Sequence, residues 1–202
     1  MRERIARFIF SQVASGIEYL HDVACVANRD LKPDNILFTT KEGGTNCYSH
    51  DRAQITDFTT AFKWRRSETD LVKISSKQGS PGFLAPEVTT QKEYSPCPLD
   101  VWALGVCMYS FVYEKMPFWG ETEPEIMHSI VHNDLVLDDS VPTSDSFKTV
   151  LRALLNKDPN QRPKIAEARR NFEWLQRDDF SSEREPETLA AEEEEKKDFE
   201  DD

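Results

Sequence analysis

Glycine is scarce in this chain, seven residues in 202, and none of the seven belongs to a Gly-x-Gly-x-x-Gly; Gly43-Gly44 is the nearest approach. A glycine-rich phosphate loop of that form is therefore missing from the sequence. Cysteine is also thin. Cys25, Cys47, Cys97 and Cys107 have no paired short spacing, which excludes a zinc knuckle and a redox dithiol motif and reads as a reducing compartment. Long apolar runs are lacking too: the longest, Val101 to Tyr113, is broken by Gly105 and Ser110 and is too short to span a bilayer. The start, Met1-Arg2-Glu3-Arg4, is charged and leads into an amphipathic pattern instead of a cleavable apolar segment, so no secretory signal is visible. These absences predict a soluble, cytoplasmic protein. Basic residues are in deficit, 25 Lys and Arg against 37 Asp and Glu, for a net charge of −12. Such an excess of acid disfavours sequence-independent binding to phosphate backbones and anionic lipid, so neither nucleic acid nor membrane is an expected partner.

The charge is unevenly spread. Ser182 to Asp202 carry eleven acids against three bases, which leaves the body only −4. Apolar residues nearly vanish beyond Phe180, and a segment of this kind cannot bury enough surface to offset its ordering entropy. Residues 181–202 are therefore expected to be an acidic disordered tail. The body is different: 38% of the chain is hydrophobic and 10% aromatic, enough for a real core.

Ile5, Phe8, Ile9, Val13, Ile17 and Leu20 recur at helical spacing and predict a helix from about Arg2 to His21, with His21 as a cation at its carboxy-terminal end. Short apolar pieces at 24–27, 36–38 and 53–56 read as small strands around a polar insertion, Thr39 to Arg52. A long polar segment from Lys63 to Ser80 shows no periodicity. The second half is helical. Pro98 opens an almost wholly apolar helix through Tyr113, Thr122-Glu123-Pro124-Glu125 forms a capping box, and Ser144 or Asp145 caps a stripe of Phe147, Val150, Leu151, Leu154 and Leu155. Ile165, Ala168, Phe172 and Leu175 mark a last helix.

Five motifs stand in order along this scaffold. Asn28-Arg29-Asp30-Leu31-Lys32-Pro33-Asp34-Asn35 lies between two predicted strands, and Asp57-Phe58-Thr59 follows the third. Gly79-Ser80-Pro81-Gly82-Phe83-Leu84-Ala85-Pro86-Glu87, then Asp100-Val101-Trp102-Ala103-Leu104-Gly105, then Arg162 complete the set. The ordered set resembles the eukaryotic protein kinases: the catalytic loop (28–35), the metal-binding tripeptide, the end of the activation segment (57–87) and the buried central helix. The resemblance implies a mainly α fold: residues 1–180 as the helical carboxy-terminal lobe of a protein kinase-like fold, with a few short strands and the amino-terminal β lobe absent from this chain.

It also implies roles. Phosphoryl transfer needs positioning and charge neutralisation above all. Asp30 would orient and deprotonate the substrate hydroxyl, Lys32 would reach the transferred phosphate, and Asn35 and Asp57 would be hard oxygen ligands for Mg2+. Leu37 would pack below the adenine of ATP, backed by Cys107 and Phe111. Lys32 and Ser80 are typical of serine/threonine kinases, so the implied activity is transfer of the ATP γ-phosphoryl group to serine or threonine of a protein substrate. Arg29 would receive an activation-loop anion, with Thr69, Ser75 and Ser76 as phosphorylation candidates and Glu68 as an unmodified stand-in. Asp100 would hold the catalytic loop by its backbone N–H groups, and Glu87 with Arg162 would form a buried ion pair.

The stretch from Leu99 to Phe118 looks most like the calcium/calmodulin-dependent kinase kinases, activators of other kinases, which makes another kinase a possible substrate. Those enzymes carry a basic amphipathic helix after the domain; here the chain turns acidic, so calmodulin is not an expected partner.

Departures from the family pattern carry their own expectations. A missing glycine-rich loop, with its lysine and glutamate, removes half of the ATP site, as in a gene fragment or in a pseudokinase-like lobe serving as a protein-interaction module. Asn28 stands where the family has a His or Tyr packed under Phe58, which predicts a weakened hydrophobic column. Thr59 replaces a glycine and narrows the backbone conformations open to the tripeptide. The surface meant for the other lobe, Leu37 included, should be exposed. Elsewhere, His128 and His132 read as a solvated or packing pair, and Cys107 as a small core residue.

Overall fold

A computed structural model describes residues 2–39, 52–65, 67 and 72–176. The acidic tail, most of the 39–52 insertion, Glu68 and Thr69 lie outside the described residues.

Helix α1, Arg2–Glu18, buries Ile9, Phe10, Val13 and Ile17 on the stripe set by their spacing. From Tyr19 to Ala24 it widens into a π-type turn that ends at Cys25, whose φ of 55° lies in the left-handed region. This corrects the expectation for His21. The wider turn carries the ring into the interior, where it meets Asp100 instead of the helix end.

Among the described residues, four short strands follow in two antiparallel ribbons. β1 (Val26–Ala27) pairs with β4 (Phe62–Lys63), which hydropathy alone did not reveal; β2 (Ile36–Thr39) pairs with β3 (Arg52–Ile55), in the register Ile36 to Ile55. The first ribbon fixes one end of the catalytic loop and the second fixes the other. A single turn, α2 (Glu87–Thr90), precedes α3 (Cys97–Tyr113), and three shorter helices follow: α4 (Glu123–His132), α5 (Asp145–Leu154) and α6 (Ile165–Asn171).

α3 is the axis of the core, buried from Leu99 through Tyr109. Side chains such as Leu104 and Met108, both at 0% exposure, each contribute about 1.5–3 kcal/mol by burial. Gly105 lets α5 close on this axis, since a Cβ there would stand 2.9 Å from Leu155. The caps are local. Ser144 Oγ accepts the Phe147 N–H (3.1 Å), and the Glu125 carboxylate accepts the N–H groups of Glu121 (2.8 Å) and Thr122 (3.3 Å). Glu3 closes the bundle by accepting from Ser144 N–H (2.8 Å) and from Trp174 Nε1 (2.9 Å). The fold is thus the mainly helical, kinase-like lobe that the motifs imply, and among the described residues no helix is long and apolar enough to cross a membrane.

Candidate active site

Asp100 sits at the amino-terminal end of α3 with no exposure, and its carboxylate is fully engaged. Oδ1 accepts the Arg29 N–H (2.7 Å), while Oδ2 accepts the Asn28 N–H (2.8 Å) and meets His21 Nε2 (2.8 Å). Burial alone would push the His21 imidazole down, but its bonds to Asp100 and Cys97 reverse this and raise it to about 10. At neutral pH a buried imidazolium therefore faces a buried carboxylate, and together they fix the backbone at the head of the catalytic loop.

That loop gathers Asp30, Lys32, Asn35 and Ser80 within hydrogen-bond reach. Asp30 Oδ1 accepts the N–H (2.8 Å) and hydroxyl (2.9 Å) of Ser80; Oδ2 accepts Lys32 Nζ (2.9 Å) and, at longer range, Asn35 Nδ2 (3.4 Å). Lys32 also donates to Ser80 Oγ (2.8 Å), closing a three-membered ring of polar side chains, and its bond to Asp30 raises the ammonium above its ordinary value. Ser80 reaches this ring because Gly79 precedes it: at φ 116°, with its Cβ position 2.6 Å from the Arg29 carbonyl oxygen, no side chain fits there. A cleft beside the ring is lined by Arg29, Asp30, Ser80, Phe83, Leu84 and Leu99.

Asn35 and Asp57 occupy neighbouring register positions, since the Thr56 N–H donates to the Asn35 carbonyl (2.9 Å) at the end of the β2–β3 ribbon. Asn35 spends its amide nitrogen on the Asp30 carbonyl (2.9 Å), which leaves its amide oxygen for a cation. Asp57 is exposed. The Thr59 hydroxyl (2.7 Å) and N–H (3.1 Å) on its Oδ1 hold its carboxyl below the usual carboxylate range, with Lys32 adding to the effect. Among the described residues no cluster of three or more His, Cys, Asp or Glu could hold a metal ion. Two protein oxygens suit Mg2+, a cation that takes one or two protein ligands and fills its octahedron with phosphate and water.

Asn28 does more than thin a hydrophobic column. Its side chain is fully buried and uses both ends: Nδ2 donates to the Asp57 carbonyl (3.1 Å), and Oδ1 accepts the Asp30 N–H (3.1 Å). A ring is lost, and a polar bridge between the two motifs takes its place. Arg29, at φ 68°, donates Nε to the Thr60 carbonyl (2.6 Å), Nη1 to Ser76 Oγ (2.7 Å) and Nη2 to Gln78 Oε1 (2.5 Å). Among the described candidate hydroxyls, Ser76 is the one on the guanidinium, and the Tyr94 hydroxyl donates to its carbonyl (2.7 Å). Glu87 and Arg162 form a two-pronged pair at 2.6 and 2.7 Å with both side chains buried, and Arg162 Nε donates to the Asn156 carbonyl (2.7 Å).

On the ribbon side, Leu37 is 53% exposed, Phe38 41% and Phe58 44%. Cys107 is buried, with burial pushing its thiol up, while Phe111 is partly exposed and packs edge-on to Phe10. His128 and His132 stack at 4.2 Å on the surface of α4. The roles of His21, Thr59, Thr60 and Gln78 escaped the motif reading. His21 could have been suspected from its place in a helix whose next turn feeds the catalytic loop; Thr59 was visible only as a departure at a glycine position, and Thr60 and Gln78 carry no sequence signal because loop conformation alone brings them to Asn28 and Arg29.

This geometry agrees with comparisons against known proteins. Residues 1–175 match the protein kinase domain, and the chain belongs to that family. It is 31% identical over 176 residues to phototropin-2 of Oryza sativa subsp. japonica, covering 80% of this chain and 19% of that protein. It is 32% identical over 184 residues to calcium/calmodulin-dependent protein kinase type 1B of Homo sapiens, and 31% identical to that of Rattus norvegicus, covering 87% of this chain and 48% of each relative. The chain thus spans less than half the length of these relatives.

Proposed function

We propose that this chain is the substrate-side lobe of a serine/threonine protein kinase, transferring the γ-phosphoryl group of ATP, with Mg2+, to a serine or threonine hydroxyl of a protein. The observation that carries this is the hydrogen-bonded ring of Asp30, Lys32 and Ser80. A substrate hydroxyl brought to this ring would meet the Asp30 carboxylate, which orients it and takes its proton, while the Lys32 ammonium offsets negative charge on the moving phosphoryl group. Asn35 and Asp57 would hold Mg2+, whose chemistry is to neutralise phosphate charge. Leu37, exposed on its ribbon, would contact adenine.

On this reading the lobe would extend over residues 1–180, and 181–202, rich in acid, would lie outside it. The other half of the nucleotide site belongs to a glycine-rich β segment that this sequence does not contain, and the exposed Leu37, Phe38 and Phe58 are where such a segment would seat. The Leu99–Phe118 stretch is what supports a place near the calcium/calmodulin-dependent kinase kinases, with another kinase as substrate; the acidic run after the lobe gives calmodulin binding no support. Arg29 bound to Ser76 supports Ser76 as the activation-loop phosphorylation site, since a dianion would replace a neutral hydroxyl on a guanidinium. Equal activity of Ser76→Ala, in a form that Ser76 phosphorylation would otherwise activate, would contradict this.

The test is transfer of labelled phosphate from ATP to a serine peptide, with thermal stabilisation by ATP and Mg2+ read alongside. Asp30→Asn should lower transfer by about a hundredfold or more while the protein stays folded. Indifference to that change would overturn the assignment. A second possibility, a non-catalytic module presenting its open apolar face to a partner, predicts neither nucleotide stabilisation nor transfer.

A further inference from the structure

The two departures from the family pattern, Asn28 and Thr59, converge on one residue. Asp57 lies at φ 56°, a backbone conformation that a non-glycine residue keeps only when its surroundings hold it there. Its main-chain carbonyl is held by Asn28 Nδ2 (3.1 Å) and one carboxylate oxygen, Oδ1, by the hydroxyl (2.7 Å) and N–H (3.1 Å) of Thr59. The Thr60 hydroxyl then donates to the Asn28 carbonyl (3.0 Å), and the Ala61 N–H to the Phe58 carbonyl (3.1 Å), so the turn closes back onto the residue that anchors it.

We propose that Asn28 and Thr59 act together as a latch on Asp57, with Thr59 a positioning residue for the phosphoryl-transfer site. A glycine at position 59 supplies no hydroxyl and leaves the tripeptide free to change conformation. Threonine supplies the hydroxyl, and its β-branched side chain confines χ1 so that the hydroxyl stays on Oδ1. Asn28 contributes a donor to the Asp57 carbonyl and an acceptor for the Asp30 N–H at once. Oδ1 is committed to Thr59, so Oδ2 is the carboxylate oxygen left for a cation, and Asp57 and Asp30 are fixed relative to each other through a single buried amide. The consequence for a metal-binding role of Asp57 rests on the kinase assignment; the latch itself does not.

Hydrogen exchange of the full 202-residue chain, followed by mass spectrometry over peptides covering residues 56–64, reads the latch without reference to activity. Thr59→Val keeps the branched shape and removes the hydroxyl, and it should speed exchange in this segment about three- to tenfold; Thr59→Gly should do so by more, and Thr59→Ser should restore slow exchange. Because Thr59 is exposed, the melting temperature should hold within about 2 °C in all three, which separates local release from loss of fold. Asn28→Asp, which puts an oxygen against the Asp57 carbonyl, should release the same segment. Unchanged exchange in both Thr59→Val and Thr59→Gly would overturn the proposal. Failure of the kinase assignment would appear elsewhere, as wild-type chain that transfers no phosphate while these exchange differences persist.

Discussion

On the helical side of the catalytic loop, charged side chains are buried and every one of them is met: Glu87 by Arg162, and Asp100 by His21 and two backbone N–H groups. On the ribbon side the position is reversed. Leu37, Phe38 and Phe58 stand open, and the Asp57 carboxylate there is exposed, with Thr59 as its hydrogen-bond donor among the described residues. The helical side is finished by contacts within the chain, whereas the ribbon side offers apolar surface and free oxygen to something else. Placement of the chemistry follows from this, since Asp30 and Lys32 lie between a rigid floor and an open roof.

Removing one partner from the floor should produce the largest effect. Arg162→Ala leaves Glu87 as an unpaired buried carboxylate and should cost about 3–5 kcal/mol in urea unfolding, enough to leave much of the protein unfolded. Next comes pH. The His21 imidazole is raised in the folded state to about 10 from its ordinary 6.5, so its contribution is complete below about pH 6.5 and is lost as pH rises through about 10. Stability should therefore fall across that window by an amount on the order of a few kcal/mol, and His21→Gln should flatten the profile. If the wild type were equally stable at pH 7 and pH 10, the buried imidazolium would be wrong.

The roof should respond differently. Leu37→Asn with Phe38→Asn should lower unfolding free energy by only about 1–2 kcal/mol, because both side chains are already about half in water, yet reduce apolar-dye binding and self-association in sedimentation. The smallest effect belongs to pairs outside both regions. Arg2 and Glu114 meet at 2.5 Å, but both are more than half exposed, and Arg2→Ala should cost no more than about 0.5 kcal/mol.

Much of the floor was legible in the sequence, because burial and helical spacing leave a pattern: the α1 stripe, the apolar α3 axis and the Ser144 cap all follow from residue type and position. Asp30, Lys32, Asn35 and Ser80 were legible as motif members, and the fold brings them together. What escaped was loop geometry. β4 is two residues long and shows no alternation, the π-type turn carries His21 to a partner, Asp100, far away in sequence, and the bonds of Asn28 to backbone atoms and of Thr59 to the Asp57 carboxylate form only where loop conformation brings the groups near. Asn28 is the instructive case: judged by hydrophobicity it weakens a column, and judged by its donors and acceptors it joins two motifs.

The most direct test of the central claim, that Asp30 serves phosphoryl transfer from this floor, is labelled-phosphate transfer from ATP and Mg2+ to a serine peptide. It should be measured for wild type and Asp30→Asn side by side, in protein carrying whatever β segment its reading frame supplies. Transfer by the wild type that falls about a hundredfold or more in the variant, with folding unchanged, is the predicted result; equal transfer by both, or none by either, would contradict it.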